Sequence, residues 1–193
     1  MTPLSRPVSL GVFAGLLAVM LATRFHHFGT ALNLPDASMA VLFLGGLYLR
    51  RHAMFVVFLA LAVLVDWISI DYAGVSSFCV TPAYAFLLPA YAVLWYGGRA
   101  YADRLQPTPI ALTLALGIAL LCTAASFAIS NGAFYWLGGR YANPHVGEYL
   151  ARLWQWGPLF ARTTLCYIAL ALAAHSLLTW IARNATVPQQ ARP

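Results

Sequence analysis

The chain contains no lysine, only five acidic residues, and just 8% charged residues in all. A soluble domain carries about 25% charged residues, so a chain this poor in charge cannot cover a water-facing surface, and a soluble globular fold is excluded. The eleven basic residues are all arginines. They are scattered at the edges of apolar runs, whereas a nucleic-acid-binding protein gathers its basic side chains into a patch or stripe. No nucleic-acid partner is expected. Cysteine is also scarce, with three residues. They form no CxxC pair and no cluster at metal-ligand spacing, which argues against a zinc site or a thioredoxin-like relay. No nucleotide-binding P-loop occurs, so any ATP-driven step belongs to a partner.

What the chain has in abundance is apolar length, with hydrophobic residues at 62%. A bilayer-spanning helix needs about 20 mostly apolar residues, and such runs fall at residues 8–23, 37–49, 53–70, 80–97, 109–129 and 158–181. The fold expected is an all-α integral membrane bundle of six transmembrane helices. Residues 1–183 form one domain and residues 184–193 a short tail. The second run is short, so it borrows from the residues before it, sits in a thinned bilayer, or is covered by its neighbours. Arg6 followed by an apolar stretch also fits a signal peptide. Cutting near Ala22 would leave five spans and spoil the charge pattern that follows, so the segment is retained as a helix.

Cytoplasmic loops are enriched in basic residues. With six spans and the N-terminus inside, the inner segments hold Arg6, Arg50, Arg51, Arg99, Arg104, Arg183 and Arg192, against Arg24, Arg140 and Arg152 outside. Both termini are therefore expected in the cytoplasm. The outer side then receives His26, His27, Asp36, Asp71, Cys79 and the long segment 132–157. The aromatic residues of that segment, Tyr135, Trp136, Tyr141, Tyr149, Trp154 and Trp156, suit either an interfacial belt or a wall over an outward-facing site. Residues 148–156 suit a short interfacial helix.

Ionisable residues inside spans are costly and usually face protein or water. Asp66 in the third run and Arg162 in the sixth would pair with each other or with a ligand, and His175 packs deeper in the last span. Cys122 and Cys166 lie in apolar helices, where a thiol behaves as a small hydrophobe. Cys79 differs, because it sits in an outer break just before Thr81-Pro82, a dipeptide that suits an N-cap followed by the first helical turn. A helix N-terminus beside Cys79 favours the thiolate, a nucleophile and a soft metal ligand; an inert loop cysteine is the other reading. Pro89 within the fourth run is expected to kink it beside Cys79. Gly11, Ala14, Gly15, Ala18 and Ala22 give the first helix a small-residue face that lets another helix approach closely.

The outer motif SSFCVTPAY, the preceding VDWISIDY, and RFHHFG followed by LPDASMAVLFLGGLYLR resemble the BtuM family of solitary cobalamin-uptake proteins. These are related to the S-components of energy-coupling-factor transporters. The likeness covers nearly the whole chain and is most specific at the cysteine motif. It implies an S-component-like bundle in a bacterial inner membrane that takes up cobalamin (vitamin B12) or related corrinoids from the outer side. By the same resemblance Cys79 matches the ligand of the corrinoid cobalt, and His27, Asp66 and Tyr84 match polar positions around the cavity. Cobalt in a corrin offers only axial sites, so one donor suffices where a bare metal needs a cluster. A soft thiolate can compete with the ligand already there, which would make Cys79 also the group that decyanates cyanocobalamin, given a reductant or second thiol. A coupling subunit and ATPase are compatible with the sequence but not required by it. Two other classes stay open: an S-component for a different vitamin, and a membrane enzyme using Cys79 as nucleophile with His26 or His27 as base.

Overall fold

The computed structural model describes residues 5–24 and 34–185, except for the side chains of Ala73 and Cys79. His26 and His27 lie outside the described residues. Among the described residues six α-helices follow one another: α1 Arg6–Thr23, α2 Ser38–Tyr48, α3 His52–Ala73, α4 Leu87–Tyr101, α5 Pro109–Leu137 and α6 Val146–Ala185. Among the described residues there is no strand. α1, α3, α5 and α6 are long and apolar enough to cross a membrane, while α2 and α4 are shorter. The protein is thus an all-α membrane bundle with four long candidate spans.

Local sequence explains where the helices start and stop. Proline occupies the first turn of α1 and of α5, where its missing N–H has no intrahelical partner to lose. The Thr108 hydroxyl also accepts the Ala111 N–H at the start of α5. α3 ends at Gly74, whose left-handed φ of 68° lets the chain turn without a Cβ clash.

α2 is the short run left undecided by its length, and burial by its neighbours is how the fold accommodates it. Every residue of α2 except Met39 and Tyr48 is buried, as expected for a helix apolar on all sides. It is surrounded by α1, α3, α4 and α6, and packs most closely on α4. That approach depends on glycine. A Cβ on Gly46 would strike the Trp95 carbonyl, a Cβ on Gly98 would strike the Phe43 carbonyl, and a Cβ on Gly45 would strike the Trp95 ring. The two backbones therefore touch, and the buried Trp95 fills the space alongside.

Two expectations change in detail. The helix following Thr81 begins as a 3-10 turn, Pro82–Phe86, and becomes α-helical only at Leu87. Pro89 then lies in the first turn of α4, a position that tolerates proline, and does not kink the helix middle. Thr81 takes the extended N-cap conformation, but its side chain caps nothing. The short interfacial helix expected at 148–156 is instead the beginning of α6, which continues through Pro158 for 40 residues. A helix of that length spans about 60 Å, twice the roughly 30 Å hydrocarbon core.

Candidate functional site

α2 spans only about 16 Å, and its N-terminus at Ser38 stops well short of the end of α3, which continues past Asp66 to Ala73. The missing helical turns leave a cavity of about 380 Å³. Its floor is polar and its walls are mostly apolar and aromatic, including Met39, Leu87, Phe127, Phe134, Trp156 and Phe160.

Arg24 organises the floor. It directly follows α1 and its side chain is almost fully buried, at 2% exposure. The Nε–H donates to the Ala62 carbonyl at 3.1 Å, and one terminal nitrogen donates to Ser38 Oγ at 2.8 Å and to Tyr91 Oη at 2.9 Å. The other terminal nitrogen donates to Asp66 Oδ2 at 2.7 Å. Asp36 lies 3.7 Å from the same guanidinium and accepts hydrogen bonds from the Ser38 hydroxyl and backbone N–H. Tyr84 completes the group by donating to Asp66 Oδ2 at 2.6 Å. A buried guanidinium persists in apolar surroundings only when paired and hydrogen-bonded, and this one satisfies both conditions.

Asp66 and Tyr84, predicted separately as site residues, are therefore brought together, and both line the cavity. Asp66 pairs with Arg24 and not with Arg162, which stands exposed on α6. Both hydrogen bonds to Asp66 among the described residues end on Oδ2. One guanidinium faces two carboxylates, whose oxygens suit hydrogen-bond donors such as amides.

Cys79 closes the 3-10 turn Ser77–Cys79 at the cavity rim. Its neighbours Phe78 and Val80 both line the cavity. The turn is held on two sides. The Ser76 hydroxyl accepts the Phe78 N–H at 3.2 Å, and Arg140 donates to the Phe78 carbonyl at 3.2 Å while its guanidinium lies 5.0 Å from the Phe78 ring centre. The α-helix expected beside Cys79 begins only at Leu87, after the 3-10 turn Pro82–Phe86.

The aromatic segment 132–157 forms the opposite wall. Tyr135 stacks on Tyr149 with ring centres 5.8 Å apart, donates to Glu148 at 2.8 Å, and accepts the His145 N–H at 2.9 Å. Arg152 lies over Tyr141 at 4.9 Å and lines the cavity, with its buried Nε unpartnered. Asn131 also lines the cavity with its buried Oδ1 unpartnered. Trp156 joins the lining, whereas Trp154 points away and is exposed.

Arg24, Arg152 and Asn131 were not legible as site residues. Arg24 and Arg152 look in sequence like interfacial anchors. The one available signal is that two acids beside apolar runs, Asp36 and Asp66, need a cation, and Arg24 is one of few that can reach them. Among the described residues no group of three or more His, Cys, Asp or Glu side chains is placed to hold a metal ion. Comparison with known proteins finds no protein-family model and no curated protein that matches the chain.

Proposed function

We propose that this protein binds cobalamin or a related corrinoid at the cavity and carries it into or across the membrane, with the Cys79 thiolate as axial cobalt ligand. The observation that carries this reading is the position of the Cys79 backbone, in a fastened turn whose flanking residues both line the cavity. A corrin presents a broad apolar face rimmed by amides. The aromatic walls suit that face, and the carboxylate oxygens of Asp36 and Asp66 suit the amide N–H groups. Cobalt already holds four equatorial nitrogens, so one soft donor at the rim is enough. On binding cyanocobalamin the thiol gives up its proton to solvent, sulfur takes the axial site, and cyanide leaves with its electron pair. Release of the corrinoid then requires a reductant or a second thiol to take over that bond.

The visible spectrum tests this directly. Wild-type protein incubated with cyanocobalamin is expected to lose the spectrum of the cyano form. Cys79→Ser keeps nearly the same volume but offers a hard, protonated hydroxyl, so it retains the cyano spectrum, while Cys122→Ser and Cys166→Ser behave as wild type. An unchanged wild-type spectrum, or an equal change in Cys79→Ser, overturns cobalt ligation by Cys79 and directs attention to a histidine donor.

The cavity volume favours a second reading. A corrinoid exceeds about 380 Å³ and would lie across the mouth with only part of it inside. That volume falls in the range of about 300–1,000 Å³ typical of sites for smaller ligands. An S-component-like protein for a smaller vitamin fits the enclosed space without Cys79 chemistry. Thermal stabilisation by such a vitamin, with no response to cyanocobalamin, would select this second reading.

A further inference from the structure

The end of the bundle away from the cavity carries a second polar constellation, independent of any corrinoid chemistry. It is built by the turn between α2 and α3 and by the last turns of α4, about 20 Å along the α3 axis from Asp66. Arg50 meets Asp103 there and His52 meets Tyr96 and Arg99, with Arg51 and Arg104 next to them in the chain. Asp103 is the one acid at this end, since the other four lie around the cavity or on its side of the bundle. It is already taken by Arg50, at 2.7 Å. Among the described residues no carboxylate pairs with Arg51, Arg99 or Arg104.

The hydrogen bonds give this cluster a direction. Arg99 lies 2.6 Å from His52 Nε2. A guanidinium only donates, so Nε2 is the acceptor and the ring proton sits on Nδ1. Nδ1 lies 2.9 Å from the Tyr96 hydroxyl, which must then accept. The Tyr96 proton is left free to point outward, together with the remaining N–H groups of Arg99. Both ends of the chain Arg99, His52, Tyr96 thus present donors to the exterior, while both ring nitrogens of His52 are used within it, and among the described residues Arg51 beside it has no ion-pair partner. Such an array complements phosphate oxygens. Below it the surface turns apolar, with Val56 one turn along α3 exposed at 59% and Val57 and Leu88 also exposed.

We propose that this end is a binding site for the headgroup of an anionic phospholipid, with the phosphate held by Arg51, Arg99 and Tyr96 and the acyl chains against Val56 and Leu88. A donor array at the end of an apolar helix, directly above exposed aliphatic side chains, matches a lipid whose phosphate and chains are joined. Free phosphate would use only the upper half. Basic residues at a membrane surface attract anionic lipids, and here the fixed tautomer of His52 adds orientation to charge.

Native mass spectrometry of the full chain, released from detergent after incubation with equimolar phosphatidylglycerol and phosphatidylcholine, tests the site. Wild-type protein should retain phosphatidylglycerol preferentially, and inorganic phosphate should fail to displace it. The double variant Arg51→Gln, Arg99→Gln should lose that preference by about tenfold or more, while Arg162→Gln, on α6 outside the cluster, keeps it. Tyr96→Phe removes only the outward hydroxyl and keeps the ring against Phe55, so its partial loss of preference decides the matter if the double variant fails to assemble. Equal retention of both lipids, or full preference in Tyr96→Phe and in any double variant that assembles, overturns the proposal. Displacement by inorganic phosphate would show a small-anion site and overturn it as well.

Discussion

At the scale of single residues, Arg24 changes how the site must be tested. Taken alone, Asp66 is a cavity carboxylate whose removal should weaken ligand binding and little else. Paired at 2.7 Å with a buried guanidinium, it is also structural, because removing one partner of a buried pair leaves an uncompensated charge and costs about 3–5 kcal/mol. Asp36 at 3.7 Å remains to offset part of that, which puts the expected loss for Asp66→Ala near the lower figure. Tyr84→Phe is the cleaner substitution, since Tyr84 is only half-buried and donates one hydrogen bond into the cluster. It should leave thermal unfolding close to wild type while reducing ligand affinity about ten- to a hundredfold, the worth of one hydrogen bond to a charged group of about 1.5–3 kcal/mol. Titration of purified protein with the ligand, alongside a melting curve, separates the two effects. Affinity unchanged in Tyr84→Phe would return that hydroxyl to a purely structural role.

At the scale of elements, the six helices were legible because apolar length is a strong signal and the breaks between runs hold arginine, proline and glycine. What composition could not decide was which helix faces lipid and which faces protein. α2 and α3 are both apolar throughout, yet nearly all of α2 is buried while α3 exposes Val56, Val57, Val63 and Leu64. The difference lies in the partner helix, and the glycines that admit it record the contact only once α4 is in place. In the same way, Gly157-Pro158 reads as a break between an interfacial helix and a span, but α6 passes through it, as membrane helices allow when neighbouring groups satisfy the freed carbonyl. The cavity was legible as a set of outer polar and aromatic residues, and its floor was not, because a lone arginine after an apolar run looks the same whether it ends in water or folds back into the bundle. The α2–α4 contact gives a sharp comparison among glycines. Gly46→Ala and Gly98→Ala place a methyl group against a backbone carbonyl that cannot move without separating the helices, and overpacking of this kind costs about 1–3 kcal/mol or more. Gly11→Ala and Gly15→Ala meet open space on α1. Melting temperatures should fall for the first pair and stay level or rise slightly for the second, since alanine favours the helix by about 1 kcal/mol over glycine. Equal behaviour of the two pairs would mean that α2 and α4 do not pack as closely as described.

At the scale of the whole molecule, the two ends of the bundle differ in charge, and that difference should set its orientation in the membrane. The end bearing the α2–α3 turn carries Arg50, Arg51, Arg99 and Arg104 against a single acid, Asp103, held below its ordinary carboxylate range by its hydrogen bond to Arg50. The cavity end holds Asp36, Asp66, Asp71 and Glu148 together with Arg24, Arg140 and Arg152. Arginines near span ends are retained preferentially in the cytoplasm, and those at the cavity end are largely committed to carboxylates, carbonyls or aromatic rings. The cavity is therefore expected to open away from the cytoplasm, with Cys79 at its rim. The length of α6 makes the same orientation testable at a second position. Its 40 residues exceed the bilayer core about twofold, so its first turns are expected to project beyond the hydrocarbon on the cavity side while its middle remains in lipid. Leu150 and Leu170 are both exposed on the bundle surface, at 58% and 69%, and differ mainly in depth. In a background lacking the native cysteines, Leu150→Cys should react with a membrane-impermeant maleimide on intact cells, and Leu170→Cys should not react even after permeabilisation. Cys79 as the sole cysteine should label like Leu150→Cys in the absence of ligand. Labelling at both Cys79 and Leu150→Cys only after permeabilisation would reverse the orientation, and ready labelling of Leu170→Cys would mean that α6 does not cross the bilayer at all.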